Sequence, residues 1–279
     1  MTLDASGLSR TFRGHTAVHA ADLTLPAGRI CGLVGPNGAG KTTFLLMLAG
    51  LLASDTGTIK FNGEVVSPQN LRRQVGWMPD TFGTWESLTS REILTTFGRL
   101  YGQSAKSARS RADDLLAQVH LNEYADRKAH ELSRGQKQRL GFARTLMNNP
   151  AILLLDEPAS GMDPRSRVEL RDHLRRLADD GTAILLSSHI LAELSEMVDD
   201  VVLMTAGRTQ TYAAPTEPRW RIRRIDQSVD EAEVVDFPDE RTAASYLSQL
   251  VGSGAQIAEF TRISDHLEDA YLALDPVRR

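Results

Sequence analysis

The loop GPNGAGKTT, residues 35–43, constrains the fold of this chain more than any other stretch. It fits the pattern G-x-x-x-x-G-K-[ST] and lies between RICGLVG, which reads as a strand, and FLLMLAGLLA, which reads as a buried helix. In such a loop the glycines let backbone amides face phosphate oxygens, the lysine reaches the terminal phosphates, and the next hydroxyl can bind Mg²⁺. A chance glycine-rich turn is the alternative. The residues predicted to bind a nucleotide are Gly35, Asn37, Gly38, Gly40, Lys41, Thr42 and Thr43, with Thr42 also predicted to bind Mg²⁺.

Further apolar runs predict a covered parallel sheet. AILLLDEP, TAILLSSH and DVVLMTAG are short, apolar on both faces and bounded by glycine, proline or charge, which is typical of buried strands. Between residues 80 and 149 helical periodicity replaces these runs, beginning at a capping box, Thr89-x-x-Glu92. The sequence therefore predicts an α/β fold with a mostly parallel sheet core and a helical subdomain over about residues 80–149.

The segment AAPTEPRW interrupts the pattern after Tyr212. Strand-like RWRIRRI and IAEFTR follow, with helical patterns near Ala243–Val251 and His266–Leu274. In RWRIRR basic and apolar residues alternate, as in a half-buried strand with a solvated face, and a patch for lipid or nucleic acid is the alternative. We expect a nucleotide-binding domain at residues 1–215 and a small C-terminal α+β accessory module at residues 216–279.

Composition narrows the choice of partners and compartment. The 279 residues carry a net charge of −4 with a pI of about 6.0, so a nucleic-acid partner is not expected. Cys31 is the single cysteine and lies in an apolar run, so it reads as a buried strand thiol in a reducing cytosol. The first residues lack a signal-peptide pattern, and the longest apolar run is about half of the roughly 20 residues that a bilayer crossing needs. We therefore expect a cytoplasmic protein that reaches a membrane only through a partner.

Two acids and a histidine follow the predicted strands. Asp156 ends the strand AILLLD, where its carboxylate could hold Mg²⁺, and Glu157 could take a proton from an attacking water. His189 follows TAILLSS at the sheet edge where parallel α/β proteins bind ligands, which suggests a γ-phosphate contact. A solvated acidic pair and a structural histidine are the alternatives. Asp156 is thus a predicted metal ligand, and Glu157 and His189 are predicted catalytic residues.

The stretch HELSRGQKQRL, residues 130–140, indicates a second anion site. Ser133 stands at a helix N-cap position, and Gly135 has no side chain to cover its backbone amide. Arg134 and Lys137 add positive charge. An ordinary capped surface helix is the alternative. Because the glycine-rich loop already supplies one phosphate site, the presence of a second in one chain needs an explanation.

GPNGAGKTT, LSRGQ, LLLDEP, SGMD and the histidine of SSH occur in this order, and over roughly residues 3–212 they resemble the nucleotide-binding subunits of ABC transporters. The resemblance implies a P-loop NTPase fold that binds ATP and Mg²⁺ and hydrolyses the ATP. It also accounts for the second anion site, because in that family LSGGQ completes the ATP site of another subunit in a head-to-tail pair. On this basis Ser133, Gly135 and Gln136 are predicted to bind the partner's nucleotide.

Other positions carry over singly from the same resemblance. Phe12 in SRTFRG matches the aromatic residue that stacks on adenine, with a core phenylalanine as the alternative, and Asp163 in SGMD matches the loop that touches the opposite subunit. The family has glycine at the position of Arg134, which is either harmless or adds a phosphate contact. The family's lid-loop glutamine, which senses the metal and the attacking water, is Asp80 here. Asp80 is predicted at the catalytic and metal site, with a plain loop acid as the alternative; an ionised aspartate cannot donate a hydrogen bond, so turnover could be slower or differently coupled.

The tail SDHLEDAYLALDP resembles the LEDAF end of ATPase subunits from bacterial exporters whose permease is a separate chain. The resemblance implies an ATP-hydrolysing motor that pairs with a second copy of itself or with a homologous ATPase subunit. It would drive the permease, docked near residues 80–90, from the inner face of the plasma membrane. The alternatives are a soluble ABC ATPase acting on ribosomes or DNA and an ATP-binding regulator with weak turnover.

Overall fold

The computed structural model describes residues 1–81, 83, 85–189, 194, 197–212, 219–228 and 231–263. The chain divides into two compact units, Met1–Tyr212 and Ala213–Arg279. The boundary predicted between residues 215 and 216 falls outside the described residues.

Strands and helices alternate along the first unit. Its strands are β1 (Thr2–Phe12), β2 (His15–Pro26), β3 (Ile30–Val34), β4 (Thr56–Phe61), β5 (Glu64–Val65), β6 (Val75–Met78), β7 (Ile152–Asp156), β8 (Ala183–Ser188), β9 (Asp200–Thr205) and β10 (Arg208–Tyr212). Its helices are α1 (Lys41–Leu48), α2 (Pro68–Gln74), α3 (Ser90–Leu100), α4 (Ala105–Gln118), α5 (Arg134–Thr145) and α6 (Pro164–Asp179), with short 3₁₀ turns at Asn122–Tyr124 and Ala129–Glu131.

The larger sheet positions the predicted phosphate loop together with Asp156, Glu157 and His189. Its strand order is β10-β9-β3-β8-β7-β6, with parallel pairing from β9 to β6 and an antiparallel β10. Every residue of β3, β7 and β8 is buried, as expected for parallel strands covered on both faces. This arrangement confirms the predicted α/β fold with a mostly parallel sheet. The carboxyl ends of β3, β6, β7 and β8 lie along one edge of the sheet, which we call the carboxyl edge.

A second, antiparallel sheet was not among the predicted elements. Its strand order is β2-β1-β4-β5, and β1 pairs with β2 as a long hairpin from Thr2↔Pro26 to Phe12↔His15. The backbone of β2 contacts the phosphate loop, because a Cβ added to Gly40 would lie 2.3 Å from the carbonyl oxygen of Ala17. The hairpin that carries Phe12 therefore packs directly against that loop.

The helix α1 is shorter than the apolar run FLLMLAGLLA predicted. It ends at Leu48, and Gly50 adopts a left-handed backbone with φ +67°. A Cβ at Gly50 would lie 2.7 Å from the Pro68 carbonyl oxygen, so the chain can turn here only because this residue is glycine. Leu51 then emerges on the surface with 50% of its area exposed. The prediction of a buried helix through Ala53 is therefore wrong beyond Leu48.

The predicted helical subdomain consists of α3, α4 and α5. The capping box at the start of α3 is confirmed: the Thr89 amide donates to Glu92 Oε2 at 2.8 Å, and the Glu92 amide donates to Thr89 Oγ1 at 3.2 Å. The buried apolar residues of these helices are Ile93, Leu94, Ala108, Ala112, Leu115, Leu116, Leu140, Phe142 and Ala143. In α4 the buried residues recur every three or four positions, which gives this helix one apolar face.

The second unit has a three-stranded antiparallel sheet and one helix in its described part. Its elements are β11 (Arg219–Arg224), β12 (Glu233–Asp236), α7 (Glu240–Gly252) and β13 (Ile257–Ile263), with strand order β12-β11-β13. Ile222, Phe237 and Ala243 form its buried core, and the Trp220 and Phe260 rings lie 4.9 Å apart. The predicted strands and the helix near residues 243–251 are confirmed. The helix predicted at residues 266–274 lies outside the described residues.

Cys31 is a buried strand thiol, as its apolar context predicted. It lies in β3 with 2% of its area exposed, and burial raises its pKa to about 12. Among the described helices, none combines the length and the apolar character that a bilayer crossing requires.

Candidate functional site

The phosphate loop, residues 35–43, is shaped by glycines in contact with neighbouring backbone. A Cβ at Gly35 would lie 2.1 Å from the Met204 carbonyl oxygen, and Gly38 and Gly40 have φ values of +82° and +102°. Gly40 is the N-cap of α1, and among the described residues no side chain caps the first amides of this helix. Unpaired amides at a helix N-terminus attract anions, so the loop is built to hold a phosphate group.

Lys41 is the cation of this loop. It is 8% exposed, and its Nζ donates to the carbonyl oxygens of Gly35 at 2.7 Å and Pro36 at 3.2 Å. Burial lowers its pKa, while the charges of Glu157 and Asp156 act in the opposite direction. The ammonium group is thus held inside the curve of the loop, where a terminal phosphate would meet it. Asn37 is exposed at the tip of the loop, and Thr43 follows in the first turn of α1.

Thr42 and Asp156 lie in direct contact. The Thr42 hydroxyl donates to Asp156 Oδ2 at 2.7 Å, and the Ser187 hydroxyl donates to Asp156 Oδ1 at 2.5 Å. Within the described residues there is no group of three or more His, Cys, Asp or Glu side chains that could cage a metal. Mg²⁺ does not need such a cage, since it is usually bound by one or two protein oxygens together with phosphates and waters. The oxygen donors of Thr42 and Asp156 therefore fit Mg²⁺.

Glu157 follows β7 in a left-handed conformation with φ +50°. Its Oε2 lies 2.9 Å from His189 Nδ1, and its side chain is 15% exposed against 48% for His189. Burial raises the pKa of Glu157, and the hydrogen bond and charge of His189 partly oppose that rise. The structure thus brings together Glu157 and His189, two of the three residues predicted to be catalytic, although they are 32 residues apart in the sequence.

Ser187 is a site residue that the motif reading did not single out. It is fully buried, and besides its bond to Asp156 its Oγ accepts a hydrogen bond from the Glu157 amide at 3.0 Å. One hydroxyl therefore fixes both acids. The sequence signal that could have identified Ser187 is the pair of serines in LLSSH, directly before the predicted histidine.

Replacing Ser187 with alanine is expected to destabilise the fold by about 1–3 kcal/mol, because the partly buried Glu157 amide loses its acceptor. Ser90→Ala is the matched control, since Ser90 is equally buried and its Oγ has no hydrogen-bond partner in the described structure. Urea unfolding measures the free energy of unfolding of both variants, which can be compared through their midpoints when their m-values are equal. Equal midpoints for the two variants would show that the Ser187 hydroxyl does not hold the acids.

Phe12 lies at the end of β1 with 41% of its area exposed. The Arg10 guanidinium covers one side of the ring at 5.0 Å from its centroid, and Asp55 holds that guanidinium through a 2.8 Å bond. The exposure excludes the alternative of an ordinary core phenylalanine. Its ring is available to stack on a planar ligand next to the phosphate loop.

Asp80 lies two residues after β6, at the carboxyl edge beside the end of β7. Its side chain is exposed, and in the described part of the chain it makes no hydrogen bond or ion pair. The structure therefore places Asp80 beside the site but does not join it to Thr42, Asp156 or Glu157.

Ser133, Gly135 and Gln136 begin α5. Ser133 Oγ accepts from the Gln136 amide at 3.3 Å, and Gln136 Oε1 accepts from the Ser133 amide at 2.9 Å, which forms a capping box. A Cβ at Gly135 would have no described atom within 4 Å, so packing within the chain does not require glycine there. No hydrogen bond links these three residues to the chain's own phosphate loop among the described residues.

Comparison with known proteins agrees with this geometry. Residues 18–160 match the model of a protein family described as ABC transporter. The uncharacterized ABC transporter ATP-binding protein YxlF of Bacillus subtilis (strain 168) is 33% identical, with 97% of this chain and 98% of the relative aligned. The Nod factor export ATP-binding protein I of Burkholderia lata is 39% identical over 76% of this chain and 71% of its own. A solved ATP-binding subunit of an ABC transporter superposes with a TM-score of 0.70 at 28% identity, covering 76% of this chain and 90% of that one. The chain therefore belongs to the ABC transporter family, as one of its ATP-binding proteins.

Proposed function

We propose that this chain is the ATP-hydrolysing motor subunit of an exporter, working in a head-to-tail pair around two ATP and driving a separate transmembrane permease. Members of the ABC transporter family bind ATP and hydrolyse it to drive transport. The Burkholderia lata relative is named for export, which supports the direction. The observation that carries the proposal is the contact of Glu157 with His189 at the sheet edge that also holds Lys41 and Asp156.

Binding of ATP begins at the phosphate loop. The free amides at the start of α1 and the Lys41 ammonium receive the terminal phosphates, and the open face of Phe12 receives the adenine. Thr42 and Asp156 would hold Mg²⁺, which would neutralise charge on the phosphates.

Hydrolysis requires a water to attack the γ-phosphorus, the bond from that phosphorus to the bridging oxygen to break, and a proton of the water to be taken up. Glu157 is the proton acceptor, because burial raises its pKa and makes its carboxylate a stronger base than an ordinary glutamate. An ionised carboxylate only accepts hydrogen bonds, so His189 Nδ1 carries the proton of their contact. His189 orients the base in this way, and its Nε2 can also donate to the γ-phosphate only in the imidazolium form, in which both ring nitrogens carry protons.

The second anion site serves the partner. Ser133 and the amide of Gly135 stand at the N-terminus of α5, where negative charge is favoured. The open space around Gly135 allows a phosphate held by another subunit to approach the backbone closely. The partner is a second copy of this chain or a homologous ATPase subunit. The pairing is self-complementary, so the phosphate loop of each chain faces the N-terminus of α5 of the other chain.

A groove of about 530 Å³ beside the helical subdomain is the proposed docking place for the permease. Its lining, as far as the chain is described, contains apolar and aromatic side chains that include Leu51 and Tyr101, 50% and 44% exposed, and three arginines but no acid. Trp85 stacks on Phe97 of the groove at 5.5 Å, which joins the groove to the predicted docking segment, residues 80–90. The charge favours a permease segment that carries acidic side chains among apolar ones.

Replacing Leu51 with aspartate is expected to weaken permease binding about tenfold or more, since a leucine buried in an interface contributes about 1.5–3 kcal/mol. The chain is co-produced with its permease in inverted membrane vesicles, and the vesicle-bound ATPase is measured. Leu100→Asp is the matched control, because Leu100 is 72% exposed but does not line the groove. If both variants stay bound equally well, the permease docks elsewhere.

A further inference from the structure

Arg134 reaches from the start of α5 to the loop before α6. Its Nη2 donates to Ser160 Oγ at 3.1 Å. A Cβ at Gly161, where φ is +72°, would lie 2.6 Å from Arg134 Nε and 2.9 Å from its Cζ. The guanidinium thus lies against the bare backbone of Gly161. Neither alternative that the sequence left open for Arg134, a harmless substitution or an added phosphate contact, anticipates this contact within the chain.

The segment that Arg134 contacts is tied to Glu157. The Ser160 amide donates to the Glu157 carbonyl oxygen at 3.1 Å, which closes a tight turn behind the base. Gln138, one turn along α5, places its Nε2 3.5 Å from the same oxygen. The backbone of Glu157 is therefore linked to the start of α5 through Ser160.

The far end of the same loop is also held by α5. Arg139 Nη2 donates to Ser166 Oγ at 2.6 Å, and Ser166 Oγ donates to Asp163 Oδ2 at 2.6 Å. The loop Ser160–Asp163 is therefore fixed to α5 at both of its ends. These contacts connect the first turns of α5 directly to this loop.

Helix stability does not explain an arginine at this position. A cation in the first turn of a helix opposes the helix dipole, and Arg134 is the first residue of α5. Its contact with Ser160 and Gly161 provides the missing reason.

We propose that Arg134 is a positioning residue that couples the signature segment, Leu132–Gln136, to the same chain's Glu157 through Ser160. The inference rests on the proposed function, because Ser133 meets a nucleotide only in the head-to-tail pair. When the partner's γ-phosphate binds at Ser133, the shift of the first turn of α5 is passed through Arg134 to Ser160 and so to the turn that carries Glu157. ATP bound at one site of the pair therefore positions Glu157, the general base, of the other site.

The test is a double-mutant cycle on the full-length chain, with Arg134→Ala, Ser160→Ala and the double variant. We expect each single variant to lower kcat about 3- to 30-fold, with a Hill coefficient for ATP close to one and a half-saturating ATP concentration within about twofold of wild type. The double variant should be no slower than the slower single, because both changes break one link. Additive losses, or a change in half-saturation alone, would overturn the proposal.

Two further variants separate coupling from charge. Arg134→Lys keeps the charge but loses the planar group that lies on Gly161, so it should behave like Arg134→Ala; wild-type behaviour would mean that charge alone matters. Arg165→Ala removes an arginine that is 89% exposed from the first turn of α6, and it should leave kcat and the Hill coefficient unchanged. A wild-type chain that binds ATP but neither pairs nor hydrolyses it would defeat the proposed function itself. Cooperative hydrolysis that survives in Arg134→Ala would defeat only the coupling.

Discussion

Replacing Glu157 with glutamine is expected to slow ATP hydrolysis by about 10²–10⁴-fold while ATP binding persists. Glutamine has the size of glutamate and can fill the same half-buried position, but its amide cannot take a proton from water. The proposed contacts of the loop with the nucleotide involve Lys41 and the α1 amides, which this change leaves in place. A pair of subunits that holds ATP should therefore accumulate.

Single-turnover release of phosphate measures the chemical step, and sedimentation of the chain with and without ATP measures the pairing. Glu64→Gln is the control, because Glu64 is an exposed acid on the short strand β5. Turnover at the wild-type rate in Glu157→Gln would remove Glu157 from its role as the base. Loss of ATP binding in the same variant would show instead that the side chain serves the nucleotide.

Replacing Lys41 with alanine is expected to weaken ATP binding about 30-fold or more, since removing one partner of a buried, hydrogen-bonded charge pair costs about 2–5 kcal/mol. Lys41 is 8% exposed, and its ammonium lies within the loop that would enclose the phosphates. Its side chain does not belong to the apolar core, so the cooperative unfolding transition should remain.

Binding of a fluorescent ATP analogue measures the affinity, and thermal unfolding without nucleotide tests the fold. Lys106→Ala serves as the control, because it removes the same charge from an exposed position in the first turn of α4. Affinity equal to wild type in Lys41→Ala would place the phosphates elsewhere.

The central strands could be predicted because burial on both faces leaves an unbroken apolar run. β3, β7 and β8 are buried at every residue. Apolar runs do not reveal the antiparallel sheet, because β4 is largely exposed and β1 changes register at bulges. Asn62-Gly63, with φ values of +54° and +85°, is a strong hairpin signal between β4 and β5 that apolar runs do not reveal.

The phosphate loop could be located because its residues are neighbours in sequence. The environment of the acids could not, because it depends on strand pairing: β7 and β8 are adjacent with Asp156 opposite Ser187, and that register puts the hydroxyl on the carboxylate. The early end of α1 has the same kind of cause, since the turn at Gly50 is required by the approach of Pro68. Contacts between distant segments, such as Arg134 with Ser160, are likewise absent from any local pattern.

The head-to-tail arrangement makes a prediction that distinguishes it from two self-contained sites. In mixed pairs of a Ser133→Arg subunit with a Lys41→Ala subunit, one composite site receives both defects, and the other combines an intact loop with an intact Ser133. If Ser133 served its own chain's nucleotide, each site would contain one defect and no complete site could exist.

ATPase activity of mixed pairs, purified through two different affinity tags with the permease present, is the measurement that tests this arrangement most directly. Each homogeneous variant should be inactive, because every site in it is incomplete. The mixed pair should regain activity clearly above that of either homogeneous variant but below that of one wild-type site. The reason is that the Glu157 of the complete site lies in the chain whose own Ser133 no longer receives a phosphate. An inactive mixed pair beside active wild type, or an active Ser133→Arg homodimer, would contradict the completion of each ATP site by the partner's α5.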